Sequence, residues 1–263
     1  MGFSAGTFNW VDLNAKDMER AKAFYGQLFG WTFELRDTRG GLPHGIFFSR
    51  GKQAAGVGRM SDEMISRGVP SMWNTYVSTD DVGATEKAIE KNGGRLMFET
   101  TTVFEAGKMN FARDPEGATF AIWEPLGHAG VEVYNEPNSF CWSERATRDL
   151  DGVEQFYGAV FDWRFRREEV PVSKMSVIHN AKGREQGHAL LMTDEWEGVP
   201  PHWSPYFAVA DCDATVERAK SLGGANPVPP FDIDVGRMAV LADPEGATFY
   251  VIRIKDGLAD PMQ

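Results

Sequence analysis

Two carboxylates in this 263-residue chain follow a tryptophan by two positions: Asp12 after Trp10 in FNWVDLN, and Glu144 after Trp142 in FCWSERA. Both stretches alternate as strands do, and residues two apart on a strand share a face. Each acid therefore stands beside an indole. In an apolar site a carboxyl group holds its proton to higher pH and can serve as general acid or base. With an aromatic wall it can equally hold a cation. The structural alternative is that each acid accepts backbone or arginine hydrogen bonds where two domains meet. His188 in EQGHALL is the best lone base of the second half, against the simpler reading of a satisfied core histidine. His44, His128, His179 and His202 read as loop or strand-edge residues.

The elements that must position these groups are written twice. FNWVDLNAKDMERAKAFYGQLFGWTF (8–33) aligns without a gap on FCWSERATRDLDGVEQFYGAVFDWRF (140–165), and DPEGATF recurs at Asp114–Phe120 and Asp243–Phe249. A fixed internal repeat marks a duplicated architecture. The join falls in the turn-rich LGHAGVEVYNEPNS, giving domains at 1–127 and 136–257. Within each half a strand leads to a helix capped by Asp17 or Asp149, whose carboxylate accepts free amides of the first turn. Gly30 ends the first helix. β-rich runs follow, and the order then recurs from MWNTYVST through DVGATEKAIEKNGG to TFAIWE. The plan is β-α-β-β-β, twice in each half. DPEG reads as a tight hairpin, with proline presetting φ and glycine supplying a positive φ.

Composition narrows the function classes. At about 150 residues per domain the length suggests two domains, and 42% hydrophobic with 25% charged residues is ordinary globular usage. A net charge of −11 argues against nucleic-acid and anionic-membrane partners. No apolar run reaches the length of a membrane span, and the N-terminus lacks the features of a signal peptide. Cys141 and Cys212 read as free, buried thiols of a reducing cytoplasm, which is the expected location.

A β-α-β-β-β module with AFYGQLFGW early and DPEG before its last strand resembles the vicinal oxygen chelate superfamily, which includes glyoxalase I, bleomycin- and fosfomycin-resistance proteins and extradiol dioxygenases. The resemblance covers nearly the whole chain. The tandem form is similar to an actinobacterial group described as glyoxalase-like proteins or as hydroxylases. It implies an α+β fold of two domains, each a cup-shaped mixed sheet with helices outside. In that family a divalent metal is held in the cup by His, Gln or Glu from four strands. The matching positions here are Trp10, Thr75, Ala121 and the Ala55–Gly56 neighbourhood in one half, and Trp142, Pro205, Tyr250 and Gly187–His188 in the other. Indole, methyl and pyrrolidine groups give a metal no lone pair. The expectation is therefore no metal and no cofactor.

With the family register, the cups include Phe8, Trp10, Asp12, Trp73, Thr75, Thr119, Ala121 and Trp123, and Phe140, Trp142, Glu144, Trp203, Thr248 and Tyr250, with His188 beside them. Aromatic walls with few polar groups suit a small-molecule pocket, although the same rings can simply fill a core. Two functions follow as expectations. One is metal-independent binding of a small hydrophobic or aromatic metabolite or drug by Trp10, Trp73, Thr75, Trp123, Trp142, Trp203 and Tyr250. The other is a glyoxalase-like lyase or isomerase acting on a small carbonyl compound such as methylglyoxal, with Asp12, Glu144 and His188 as acid and base groups. The halves are expected to pair within the chain as separate subunits do in dimeric relatives, leaving a monomer.

Overall fold

The computed structural model describes residues 2–170 and 173–255. The first half runs β1 (Phe8–Ala15), α1 (Met18–Phe29), β2 (Thr32–Arg36), β3 (His44–Ser49), β4 (Lys52–Arg59), a short α2 (Asp62–Ser66), β5 (Met72–Ser78), α3 (Val82–Lys91), β6 (Arg95–Leu96), β7 (Thr101–Val103), β8 (Gly107–Arg113) and β9 (Thr119–Pro125). The second half repeats the order: β10 (Ser139–Thr147), α4 (Leu150–Phe161), β11 (Arg164–Val170), β12 (Ser173–His179), β13 (Glu185–Leu191), β14 (His202–Ala208), α5 (Cys212–Ser221), β15 (Ala225–Ile233), β16 (Gly236–Ala242) and β17 (Thr248–Ile254).

Each half is one mixed sheet. Its order is β2-β3-β4-β1-β5-β9-β8-β6 in the first half, with β7 on β8, and β11-β12-β13-β10-β14-β17-β16-β15 in the second. The α+β architecture expected from the repeat is the one observed. Asp17, Asp81, Asp149 and Asp211 each cap a helix through a side-chain oxygen. Where the first half breaks RLMFETTTVF into β6 and β7, the second keeps one edge strand in spite of Pro227, Pro229 and Pro230. An edge strand tolerates proline because its outer amides have no ladder to join.

The two sheets turn their helix-bearing faces toward each other and share one core. Phe8 packs on Trp163 and Trp203, Phe29 and Trp73 on Phe207, and Phe120 on Tyr157. The repeated heptapeptide proves to be a joint as well as a hairpin. Gly117 (φ 91°) closes the turn by donating its N–H to the Asp114 carbonyl. Tyr25 of α1 donates to Asp243 Oδ2 of the other half at 3.1 Å, and Tyr157 of α4 donates to Asp114 Oδ2 at 3.0 Å. Glu245 accepts the backbone N–H groups of Lys16 and Asp17, and Glu116 accepts that of Arg148. Each DPEG turn thus holds the start of the opposite half's first helix.

One side of this joint carries an extra charge. Arg145, with no solvent exposure, reaches Asp114 at 2.7 Å and Glu116 at 2.9 Å. Leu13 occupies the aligned position in the first half, and burial there pushes the Asp243 carboxyl above its usual range. Removing a hydroxyl tests the joint. Tyr25 both donates to Asp243 and accepts from Trp73 Nε1 at 3.0 Å. Tyr25→Phe leaves a buried indole N–H and a carboxylate short of a partner, and should lower urea-unfolding stability by about 2 kcal/mol. A loss below a few tenths would show the bonds to be energetically idle.

Candidate functional site

The helix-free faces carry two smaller clusters, one in each half, and these are the cups. The first gathers Trp10, Ile46, Tyr76, Ala121, Trp123 and Val131; the second Cys141, Tyr206, Ala208, Met238, Tyr250 and Ile252. Register fixes the membership. Asp12 pairs with Asn74, Trp10 with Tyr76, and Tyr76 with Ala121; directly paired residues share a face. This corrects the expected set. Trp73 and Trp203 point into the shared core, where their indole N–H groups bond to Tyr25 and Tyr157. Thr75 pairs with Val11 and Pro205 with Ser143, on the same helix-bearing side. Phe8 and Phe140 also turn inward, across an irregularity before Trp10 and Trp142. The family register was off by one on β5 and β14, so the cup side chains there are Tyr76 and Tyr206.

In the second cup the polar groups close on one another. Glu144, 2% exposed, accepts from Tyr206 at 2.6 Å, from Tyr250 at 2.8 Å and from His188 Nε2 at 2.8 Å. His188 Nδ1 accepts from Trp142 Nε1 at 2.7 Å. An indole nitrogen only donates, so Nδ1 carries no proton and the His188 proton sits on Nε2, toward Glu144. Burial opposes the charge on Glu144, but His188 and the two tyrosines outweigh it and hold the carboxyl below its usual range. The expectation of a proton-holding Glu144 is therefore overturned. The His188 lone pair is likewise already engaged. The Tyr206 and Tyr250 rings stack at 4.4 Å.

The first cup is built from the same strands with smaller residues. Asp12, Gly56 and Ala121 stand where the second cup has Glu144, His188 and Tyr250. A Cβ at Gly56 would lie 2.1 Å from Asp12 Oδ2, so only glycine admits the carboxylate there. Asp12 finds a histidine by another route. Gly56 and Gly58 leave β4 bare on this face, and His44 of β3 reaches across it to Asp12 Oδ2 at 2.9 Å. Sequence reasoning missed His44. The Gly-x-Gly of AAGVGRM was the available signal, because it strips the intervening strand of side chains. Burial alone would lower the His44 pKa, yet the Asp12 charge and hydrogen bond leave it raised. His44 keeps 37% side-chain exposure while Asp12 has 7%, so the imidazole is the reachable member.

Other polar groups in this cup are uncommitted. Trp10 Nε1 would lie 3.1 Å from a Cβ at Gly56, yet donates no hydrogen bond among the described residues, and neither does the Tyr76 hydroxyl. Their counterparts Trp142 and Tyr206 are both engaged. Segment 126–138, free of helix and strand, reaches the cup through His128 and Val131. His128 meets Trp10 edge-on at 4.5 Å and accepts the Trp123 indole N–H on its carbonyl, and Val131 bonds to Asn9. An open cleft of about 360 Å³ lies outside both cups, between Gly6, Ser78–Asp81 and Gly158–Asp162. Its Asp81 is spent on capping α3.

The donors of neither cup fit the metal site of the fold family. In the second, His188 and Glu144 spend their lone pairs on Trp142, Tyr206, Tyr250 and each other. In the first, Asp12 and His44 have the Trp10 indole, the Ala121 methyl, Gly56 and the Tyr76 phenol around them, and burial with the Asp12 charge pushes the phenol pKa up, against its serving as a phenolate ligand. No group of three His, Cys, Asp or Glu suited to a metal occurs among the described residues. None of their helices is long and apolar enough to cross a membrane.

Fold, cups and repeat together define a tandem glyoxalase-type protein. Residues 7–122 match the Glyoxalase/Bleomycin resistance protein/Dioxygenase superfamily, and residues 142–252 match the Glyoxalase-like domain. The chain belongs to this superfamily. It is 36% identical over 255 residues to "Putative glyoxylase CFP32" of Mycobacterium tuberculosis, covering 95% of this chain and 96% of that protein. It is 34% identical over 270 residues to "Anthracycline biosynthesis protein DnrV" of Streptomyces peucetius, covering 97% and 96%. Among solved structures, the Mn(II)-bound glyoxalase from Novosphingobium aromaticivorans shares the fold with a TM-score of 0.64 at 15% identity, over 95% of this chain and 82% of that one.

Proposed function

We propose that the protein binds a small, flat, largely apolar molecule in the first cup, without a metal. The observation that carries this reading is the contrast between the cups: Trp10 and Tyr76 are uncommitted in the first, while Trp142 and Tyr206 are locked in the second. Trp10, Tyr76 and Trp123 supply aromatic walls, and Asp12 with His44 a polar end. The relative named for anthracycline biosynthesis supports a polycyclic aromatic ligand. Trp142 and Tyr250 then serve the second cup's closed network, and Trp73, Trp203 and Thr75 the shared core. The test is a tryptophan-fluorescence titration with a hydroxyanthraquinone after exhaustive chelation. Saturable quenching with micromolar affinity is expected, falling at least tenfold in Ala121→Phe, whose ring fills the cup beside Tyr76. Wild-type quenching that needs added Mn²⁺ would refute metal independence, and quenching unchanged in Ala121→Phe would refute the location.

A second reading rests on the Asp12–His44 pair. A buried carboxylate orienting a reachable imidazole can move a proton on a small carbonyl substrate. Methylglyoxal turnover that survives chelation and drops about a hundredfold in His44→Gln would favour this enzyme over a binding protein.

A further inference from the structure

We propose that the inter-domain linker forms part of the first cup's ligand site, with His128 Nε2 hydrogen-bonding an oxygen on the ligand's inner edge. This rests on the binding reading above and names the ligand class more closely: an aromatic bearing a hydroxyl or keto oxygen. His128 Nε2 is buried and has no hydrogen-bond partner among the described residues. A buried polar nitrogen without a partner costs about 1–3 kcal/mol, so its retention between two tryptophans calls for a partner from outside the chain. The ring is not loose. It meets Trp10 at 4.5 Å and Trp123 at 5.7 Å, both edge-on. Its backbone is pinned on both sides, the N–H to the Ala106 carbonyl and the carbonyl to Trp123 Nε1. Burial pushes its pKa down to about 4, so the ring is neutral at physiological pH and a neutral oxygen suits it better than a carboxylate.

The second cup supports the same conclusion by contrast. Its imidazole, His188, is satisfied at both nitrogens by Trp142 and Glu144. The first cup has an imidazole at its wall with one nitrogen left over. Trp10 Nε1, on the Gly56 and Asp12 side, and the Tyr76 hydroxyl are also uncommitted and leave the same cup with further donors.

Calorimetric titration with 1-naphthol and with naphthalene separates the possibilities, using wild type, His128→Phe and His128→Leu. The phenylalanine keeps an aromatic ring between the tryptophans, and the leucine guards against a phenylalanine that disturbs the linker. Wild type should bind 1-naphthol at least tenfold tighter than naphthalene. Either variant should lose about tenfold of that preference, the worth of one hydrogen bond, read as the ratio of the two affinities within each protein. A preference that persists in both variants overturns the role of His128 and leaves the binding reading standing. No binding of either compound to wild type overturns the binding reading itself, and this inference with it.

Discussion

Arg145→Leu is expected to lower stability by about 3–5 kcal/mol near neutral pH, the cost of leaving buried carboxylates without their cation. Arg145 is fully buried between Asp114 and Glu116, which hold the second half's first helix against the first half. The aligned Leu13 shows what the joint does without arginine: burial pushes Asp243 above the usual carboxyl range. In the variant the Asp114 carboxylate would be left buried without its cation. A carboxyl whose folded pKa is raised favours the fold below its unfolded pKa and loses that advantage as pH rises through the folded value. The deficit should therefore be largest near neutrality and shrink toward about pH 4, the ordinary carboxyl range. Urea midpoints of both proteins across that interval give the comparison. A deficit that does not vary with pH would mean that the arginine acts by packing alone.

Glu144→Gln is expected to cost about 3 kcal/mol, because three donors converge on a carboxylate and an amide offers only one acceptor atom. The wild-type carboxyl is held below its usual range by His188, Tyr206 and Tyr250. A lowered pKa contributes stability that is present above the unfolded value and is lost as pH falls through the folded one. The glutamine variant lacks that contribution, so its stability should change less with pH, and the two curves should approach each other in acid. Hydroxyanthraquinone affinity should stay within about twofold of wild type, since Glu144 lies in the other cup and shares no partner with the proposed site. A variant that keeps its stability but loses ligand would move the binding site to the second cup.

Much of the fold was legible because the chain states it twice. The capping aspartates and the DPEG hairpins each have a local cause, and local causes can be read from local sequence. The cups were less legible. Strand parity gave Trp10 with Asp12 and Trp142 with Glu144 correctly, since two residues on one strand need no register between strands. Trp73, Thr75 and Trp203 were misplaced because their face depends on pairing with β1 and β10, and a slip of one residue reverses it. His44 escaped notice because its partnership with Asp12 spans a whole strand whose glycines contribute nothing to a motif. His128 lay in a segment that looked like a spacer, and only tertiary contact with Trp10 and Trp123 shows otherwise.

The reciprocal joint also sets an order in time. Asp114 and Glu116 have already left the ribosome when Arg145, Arg148 and Tyr157 appear, so the second half meets a waiting cradle. The first half has no such benefit. The amide of Lys16 must wait for Glu245, 229 residues later, which at bacterial-to-eukaryotic synthesis speeds is roughly 10–50 s. During that interval α1 has neither its brace nor the Phe249 ring that Phe24 and Tyr25 pack against. Until then Tyr25 rests on the first-half rings of Trp31, Phe47 and Trp73, and Phe24 lacks the Phe249 edge.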